Sequence, residues 1–244
     1  MNNPLVTIIT PTTGSKFLSQ VIESVQDQTY KNIQHLVVVD GPSDSACGIL
    51  SEYLAIPNID ILKLPYNTGH DQYNGHRIYG ASTFLAKGDY FIFLDEDNWL
   101  EPNHVQALVD SIGDNSWAYT LRKIVNQDGE YICNDDCESL GNWLSILNDY
   151  FVDVNCYMLR KDVALNFAPG WYRRARHPQE QPEVDRLLSG WLRLKNLKAS
   201  CTGEYTVNYR VASRADSVTG EFFLKGNEYM KQKMNGELPW RKEI

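Results

Sequence analysis

With 244 residues, 43% of them hydrophobic and 22% charged, the chain can bury a sizeable core, which excludes a disordered segment. A formal charge of −8 argues against a nucleic-acid partner, which normally needs a basic face; an acidic substrate stays open where a metal ion carries the compensating charge. The five scattered cysteines, Cys47, Cys133, Cys137, Cys156 and Cys201, read as reduced thiols, with no zinc-like spacing around Cys133 and Cys137.

The opening "MNNPLVTIITP" has neither the basic start nor the cleavage site of a signal peptide, and no run approaches the ~18 apolar residues of a membrane span. The expectation is a cytoplasmic protein, with peripheral membrane contact through a surface patch left open. Residues 5–10, "LVTIIT", read as a buried strand running into the loop "PTTG". Phe17, Leu18, Val21, Ile22 and Val25 recur at helical spacing. "HLVVVDGPSD" is a second strand ending at Asp40, and "IDILKLP" a third. "DQYNGHRIYGASTFLAKG" reads as a helix closed by Gly88, and "DYFIFLD" as a fourth strand. Pro102 suits the first turn of a helix reaching about residue 112.

The second half is less regular. "WAYTLRKIVNQDGEYIC" suggests a hairpin turning at Asp128-Gly129, and "NCYMLR" a short strand. "EVDRLLSGWLRLKN" reads as an amphipathic helix with Val184, Leu187, Leu188, Trp191, Leu192 and Leu194 mostly on one side. "KASCTGEYTVNYRV" holds one or two strands, and a helical tail begins near residue 218. Alternating strands and helices imply an α/β fold with a mostly parallel central sheet flanked by helices, and a less regular second half that shares the sheet. Ligands of such sheets sit beyond the carboxyl ends of the strands, and three of those ends are polar here: Thr10–Thr13, Asp40 and Asp95–Asp97.

Residues 88–102, "GDYFIFLDEDNWLEP", place three carboxylates directly after the most apolar strand. Side chains two apart on a strand point the same way, so Asp95 and Asp97 are expected to face one volume, with Glu96 turned aside. Two close carboxylates repel unless a cation sits between them, and hard oxygen ligands suit Mg2+ or Mn2+. The bland alternative is a solvated loop whose acids favour the start of the next helix.

In order along the chain, these motifs resemble the GT-A fold glycosyltransferases, specifically the inverting family 2 group. "VTIITPTTG" resembles that family's first strand and nucleotide-contacting loop, here Pro11, Thr12 and Thr13. "HLVVVDGPSD" is similar to its strand-Asp-Asp-Gly-Ser pattern, with Asp40 at the base-reading position and Gly41 in place of the second Asp. "YNTG" resembles its Asn-x-Gly segment at Asn67 and Gly69, and Arg77 falls where the next helix often carries Arg. "LDEDN" resembles the Asp-x-Asp motif. The likeness covers about residues 4–112. It implies a nucleotide-sugar donor, most simply UDP-linked, and Mn2+ or Mg2+ held by Asp97 and Asp95, with Glu96 as the variable middle residue. It implies also a saccharide, lipid-linked or protein acceptor. Residues 1–112 would form the donor half, 113–217 the acceptor and catalytic half of the same domain, and 218–244 a helical tail.

An inverting transfer needs a base for the acceptor hydroxyl. The resembled family carries it near the start of a late helix, which points to Asp185, with Glu183 and Glu180 as alternatives in register. "GWYRRARHPQ" offers Trp171, Tyr172, Arg173, Arg174, Arg176 and His177 for a sugar or an anion. Arg210 and Arg214, in a Tyr-Arg segment like one the family closes over the diphosphate, are candidates for that role. A nucleotidyltransferase, or a binding module without catalysis, are the competing readings. The first is weakened by a thin phosphate loop, the second by the survival of Asp40, Asp95, Asp97 and a candidate base.

Overall fold

A computed structural model describes residues 3–70, 73–172, 184–212 and 218–241. Strands β1 (Val6–Thr12) and β2 (Ile33–Val39) are buried along their whole length, as continuous apolar runs in the middle of a parallel sheet must be. β3 (Ile59–Lys63) pairs parallel with β2, and β4 (Tyr90–Phe93) parallel with β1. Helices α1 (Leu18–Gln26), α2 (Asp44–Leu50), α3 (His76–Ser82) and α4 (His104–Ile112) fill the connections, and a two-residue strand β5 (Trp99–Leu100) precedes α4.

The second half continues the same sheet. β6 (Trp117–Val125) and β7 (Tyr131–Asn134) form the expected hairpin, with Gly129 at φ +87° in its turn. β8 (Tyr157–Arg160) lies antiparallel between β4 and β6. Helices α5 (Lys161–Phe167) and α6 (Val184–Leu194) follow, then β9 (Ala199–Arg210) and the tail helix α7 (Gly220–Lys233). The strand order is β3-β2-β1-β4-β8-β6-β9-β5, with β7 beside β6. β9 is one strand, parallel to β6, whose register slips around Tyr119–Arg122 near the left-handed Gly203. Asp136 latches the tail onto this half, accepting from Trp240 Nε1 at 2.8 Å and pairing with Arg241.

Several local expectations need correction. α3 begins at His76 and ends at Ser82, so Gly88 does not close it. A side chain at 88 would meet the Thr7 backbone nitrogen at 2.7 Å, so glycine there serves close approach to β1. Pro102 precedes α4 by two residues, outside its first turn. On α6, Val184, Leu188 and Leu192 are buried, but Leu194 is 80% exposed and Leu187 40%, so the apolar stripe is narrower than the spacing suggests. α2, α5 and β5 were not anticipated. The cysteines are all free, no helix among the described residues is long and apolar enough to cross a membrane, and no cluster of three metal-ligating side chains occurs among them.

Candidate active site

The carboxyl ends of β1, β2 and β4 meet in one cleft, and the loops that leave them are tied to one another. Glu96 does not turn aside. Its carboxylate accepts from Thr12 Oγ1 at 2.5 Å, Thr13 Oγ1 at 2.9 Å, and the backbone N–H groups of Thr13 and Ser15 at 3.1 and 2.9 Å. It therefore fastens the loop after β4 to the loop after β1 by charge-assisted bonds. Asp40 performs the same service between the loops after β2 and β3. It accepts from Thr68 N at 2.6 Å, Thr68 Oγ1 at 2.9 Å, Gly69 N at 3.0 Å and Asn67 Nδ2 at 3.1 Å. With these four bonds Asp40 is occupied by its own protein, where a base-reading carboxylate would keep an oxygen for the ligand. Gly41, at φ +92°, lets the chain pass Asn67, whose backbone nitrogen would lie 2.7 Å from any Cβ there.

Arg77 reaches back from α3 to the Thr68 carbonyl at 2.8 Å and lies 3.9 Å from the Tyr73 ring centre and 4.9 Å from that of Tyr172. Gly75, just ahead of α3, abuts Pro11, whose Cγ would sit 2.4 Å from an added Cβ. Pro11, Thr12, Asn67, Gly69 and Arg77 are thus brought together as one interlocked set of loops, with Thr13 exposed at their rim.

Asp95 and Asp97 take different roles. β4 has ended by Phe93 and Glu96–Asp97 form a turn, so strand alternation does not govern them. Asp95 points into the protein. One carboxylate oxygen accepts from Tyr79 Oη at 2.6 Å, the other from Asn155 Nδ2 at 2.9 Å, and its N–H donates to Asn155 Oδ1 at 2.7 Å. Burial first, then the Asp97 charge, raises the Asp95 pKa to about 7. Asp97, partly exposed on the turn, fits a divalent cation that takes one carboxylate and completes its shell with donor phosphates and water. Asp95, with a bond on each oxygen, fits as its neighbour more than as a second direct ligand.

Arg210 does not close over the cleft. Its guanidinium donates to the Asp97 carbonyl at 3.0 Å, Gln127 O at 2.6 Å and Gln20 Oε1 at 2.8 Å, and lies 3.8 Å from the centre of the Phe17 ring. It braces the turn that carries Asp97. Trp171 is fully buried, packed on His76, Tyr79, Phe93 and Phe167, so it is core and cannot stack on a sugar. Arg173, Arg174, Arg176, His177, Glu180, Glu183 and Arg214 lie outside the described residues.

Asp185 stands in the first turn of α6, its Oδ1 accepting from the Arg186 N–H at 2.9 Å. Burial, and then the charge of Asp153, raises its pKa to about 6. Asp153 also acts on Asp95, and Tyr157 feels Asp185, Asp153 and Asp95 together. Asp185 and Asp95 thus both belong to the electrostatic surroundings of Tyr157. The Tyr157 hydroxyl is buried with no hydrogen-bond partner among the described residues. Arg186, the residue after Asp185, is clamped by Glu138 at 2.6 Å and by Asp149, which fixes the start of α6.

The sequence model of glycosyl transferase family 2 matches residues 7–132, more than half of the chain. The chain belongs to that family. Solved structures share its GT-A fold: TarS of S. aureus in complex with UDP-GlcNAc superposes with a TM-score of 0.66 at 16% identity, over 94% of this chain and 66% of that one. The mannosyltransferase PcManGT of Pyrobaculum calidifontis, in complex with GDP-Man and Mn2+, gives 0.60 at 10% identity, over 97% and 66%. In sequence, the chondroitin synthase of Pasteurella multocida is 29% identical over 136 residues, 54% of this chain and 14% of the synthase. The chain spans well under half the length of the curated relatives it matches.

Within this family 2 site, sequence reasoning missed Tyr79, Asp153, Asn155 and Arg122. Arg122 is a fully buried hub that pairs with Asp135, Glu138 and Asp153 at 2.8, 2.5 and 2.5 Å. Asp153 in turn accepts from Asn155. The one local signal was "DVN", where Asp153 caps a single 3-10 turn (Val154–Cys156). Nothing in the sequence says that this turn abuts Asp95.

Proposed function

We propose that the chain transfers a sugar from a UDP-linked donor to an acceptor hydroxyl with inversion, assisted by Mn2+ or Mg2+. The observation that carries this reading is the partly exposed Asp97 turn, tied through Glu96 to the loop after β1 at the carboxyl ends of the parallel strands, with Asp185 in the first turn of α6 poised as a base near neutral pH. Complexes of structural relatives with UDP-GlcNAc, and with GDP-Man and Mn2+, support the donor class and the ion. The interlocked loops of Pro11–Thr13, Asn67–Gly69 and Arg77 form the nucleotide floor, held rigid by Glu96 and Asp40, which suits a site that must be organised before the donor arrives.

When bound, the ion would be held by Asp97 and the donor phosphates and would supply Lewis-acid stabilisation of the departing diphosphate. Asp185 accepts the acceptor's hydroxyl proton on a carboxylate oxygen as the new carbon–oxygen bond forms at the anomeric carbon and the bond to the diphosphate breaks. Residues 113–217 supply this acceptor side, with a saccharide, lipid-linked or protein hydroxyl as acceptor. The deciding experiment is incubation with a panel of nucleotide sugars and Mn2+. Release of nucleoside diphosphate supports the reading, and pyrophosphate release would replace it by nucleotidyl transfer. Binding of a donor without hydrolysis or transfer would leave a binding module, and failure to bind any donor would remove both readings. The anomeric configuration of a transfer product checks inversion.

A further inference from the structure

One groove on the acceptor half belongs to none of the features above. It encloses about 500 Å³ and is lined by Tyr150, Phe151, Arg186, Ser189, Gly190 and Arg193 among others. Two arginine–aromatic stacks frame it. The Arg186 guanidinium lies 4.2 Å from the centre of the Phe151 ring, and that of Arg193 lies 3.3 Å from the centre of Tyr150. The two arginines differ in charge balance. Arg186 is neutralised by Glu138 and Asp149, whereas Arg193 has no hydrogen bond or ion pair among the described residues. Its planar fork is held flat on Tyr150 with its N–H edge unspent, in a protein of net charge −8.

Gly190 sits between the two arginines, and a Cβ there would meet nothing within 4 Å. Packing does not require glycine, and glycine is a poor helix former, so its effect is to keep the groove open. Along α6, Gly190 and Arg193 follow Asp185 by roughly 7.5 and 12 Å at the helical rise. An oligosaccharide that presents its end hydroxyl to Asp185 and runs along α6 would meet the groove.

We infer that this groove is a subsite for an acidic acceptor saccharide, in which the Arg193 fork pairs with a carboxylate or phosphate and the Tyr150–Leu194 wall receives the sugar face. Charge complementarity selects this occupant: Asp149, the one acid of the lining, is paired with Arg186, which leaves Arg193 as the lining cation without an ion pair among the described residues, beside Tyr150, Phe151 and Leu194. The inference rests on the transferase reading of Asp185 for its direction.

The test is a glycan array of uronic-acid, sugar-phosphate and neutral oligosaccharides, probed with the parent chain, Arg193→Ala, Gly190→Glu and Lys225→Ala. Gly190→Glu places a carboxylate between Arg186 and Arg193 and supplies the anion in cis; Lys225→Ala removes one positive charge from the exposed tail helix. The parent should favour acidic glycans over neutral ones. Arg193→Ala and Gly190→Glu should each lose at least tenfold of that signal with unchanged circular dichroism, and Lys225→Ala should keep it. The uronic-acid and sugar-phosphate arms tell which acid is read. Absence of acidic-glycan binding by the parent, or equal binding by all four proteins, overturns the inference. Donor hydrolysis by the parent is measured alongside. Hydrolysis without glycan binding removes the groove alone, and glycan binding without hydrolysis removes the transferase reading alone.

Discussion

Asn155 holds Asp95 from two sides, accepting its backbone N–H at 2.7 Å and donating to its carboxylate at 2.9 Å. The same amide also donates to Asp153, so one neutral side chain separates two buried acids. Asn155→Leu strands the Asp95 backbone donor and one Asp95 carboxylate oxygen together, while Asp153 keeps the backbone N–H of residue 155. It should lower unfolding free energy by about 2–4 kcal/mol, as broken buried networks do. Urea denaturation with an unchanged slope and a lower midpoint would show this; an unchanged midpoint would mean that Asp95 is held by Tyr79 alone.

Glu96 is expected to govern nucleotide affinity without touching the nucleotide, because it ties down Thr12, Thr13 and Ser15. Glu96→Ala should weaken UDP binding by about 10–100-fold, the worth of one or two charge-assisted bonds. Hydrogen exchange at residues 13–15 should quicken in parallel. Glu96→Gln, which keeps one oxygen, should fall between the variant and the parent. Equal UDP affinity in all three, measured by calorimetry, would show that the loop is held by other contacts.

The contrast between Glu96 and Asp97 shows where sequence stops being informative. Strands β1, β2 and β4 were legible because buried strands must be apolar along their length, and the polar residues at their ends mark the cleft for the same reason. The motif positions were found, but not what each carboxylate faces. Asp40, Glu96 and Arg210 all spend their bonds on neighbouring elements, contacts that depend on pairs 27 to 190 residues apart. Asn155 and Arg122 were invisible for a related reason. Each is an ordinary polar residue in an unremarkable stretch until the sheet brings β4, β6 and β8 side by side.

Asp97 sits partly exposed on a turn, so Asp97→Ala should leave the fold intact and act on ligand binding. With UDP and Mn2+ at about 100 times their dissociation constant, the parent should gain about 2.7 kcal/mol of stability. The variant should lose most of that gain, and EDTA should have the same effect on the parent. Thermal unfolding with and without chelator reads this directly. A full ligand-induced shift in EDTA would remove the metal from the proposed mechanism.

Asp185 makes opposite demands on stability and on rate. Its pKa is raised in the folded protein from 3.8 to about 6 by burial and by Asp153. Between those values the unfolded chain has released the proton and the folded protein retains it. Stability contributed by this group is therefore lost as pH rises through about 4 to 6, and the cost is complete above that. Partial solvent contact reduces the cost to about 1–3 kcal/mol. Asp185→Asn should flatten that slope and be more stable than the parent at pH 7.5, with little difference near pH 4. Catalysis runs the other way, because a base must be ionised: parent turnover should rise with pH to a plateau above about 6. The Asn variant should lose about 10²–10⁴-fold in kcat at the plateau while binding UDP normally. Glu180→Gln and Glu183→Gln serve as controls. Normal turnover by Asp185→Asn beside a dead Glu183→Gln would move the base two residues upstream, and activity in all three would rule out a carboxylate base in this segment.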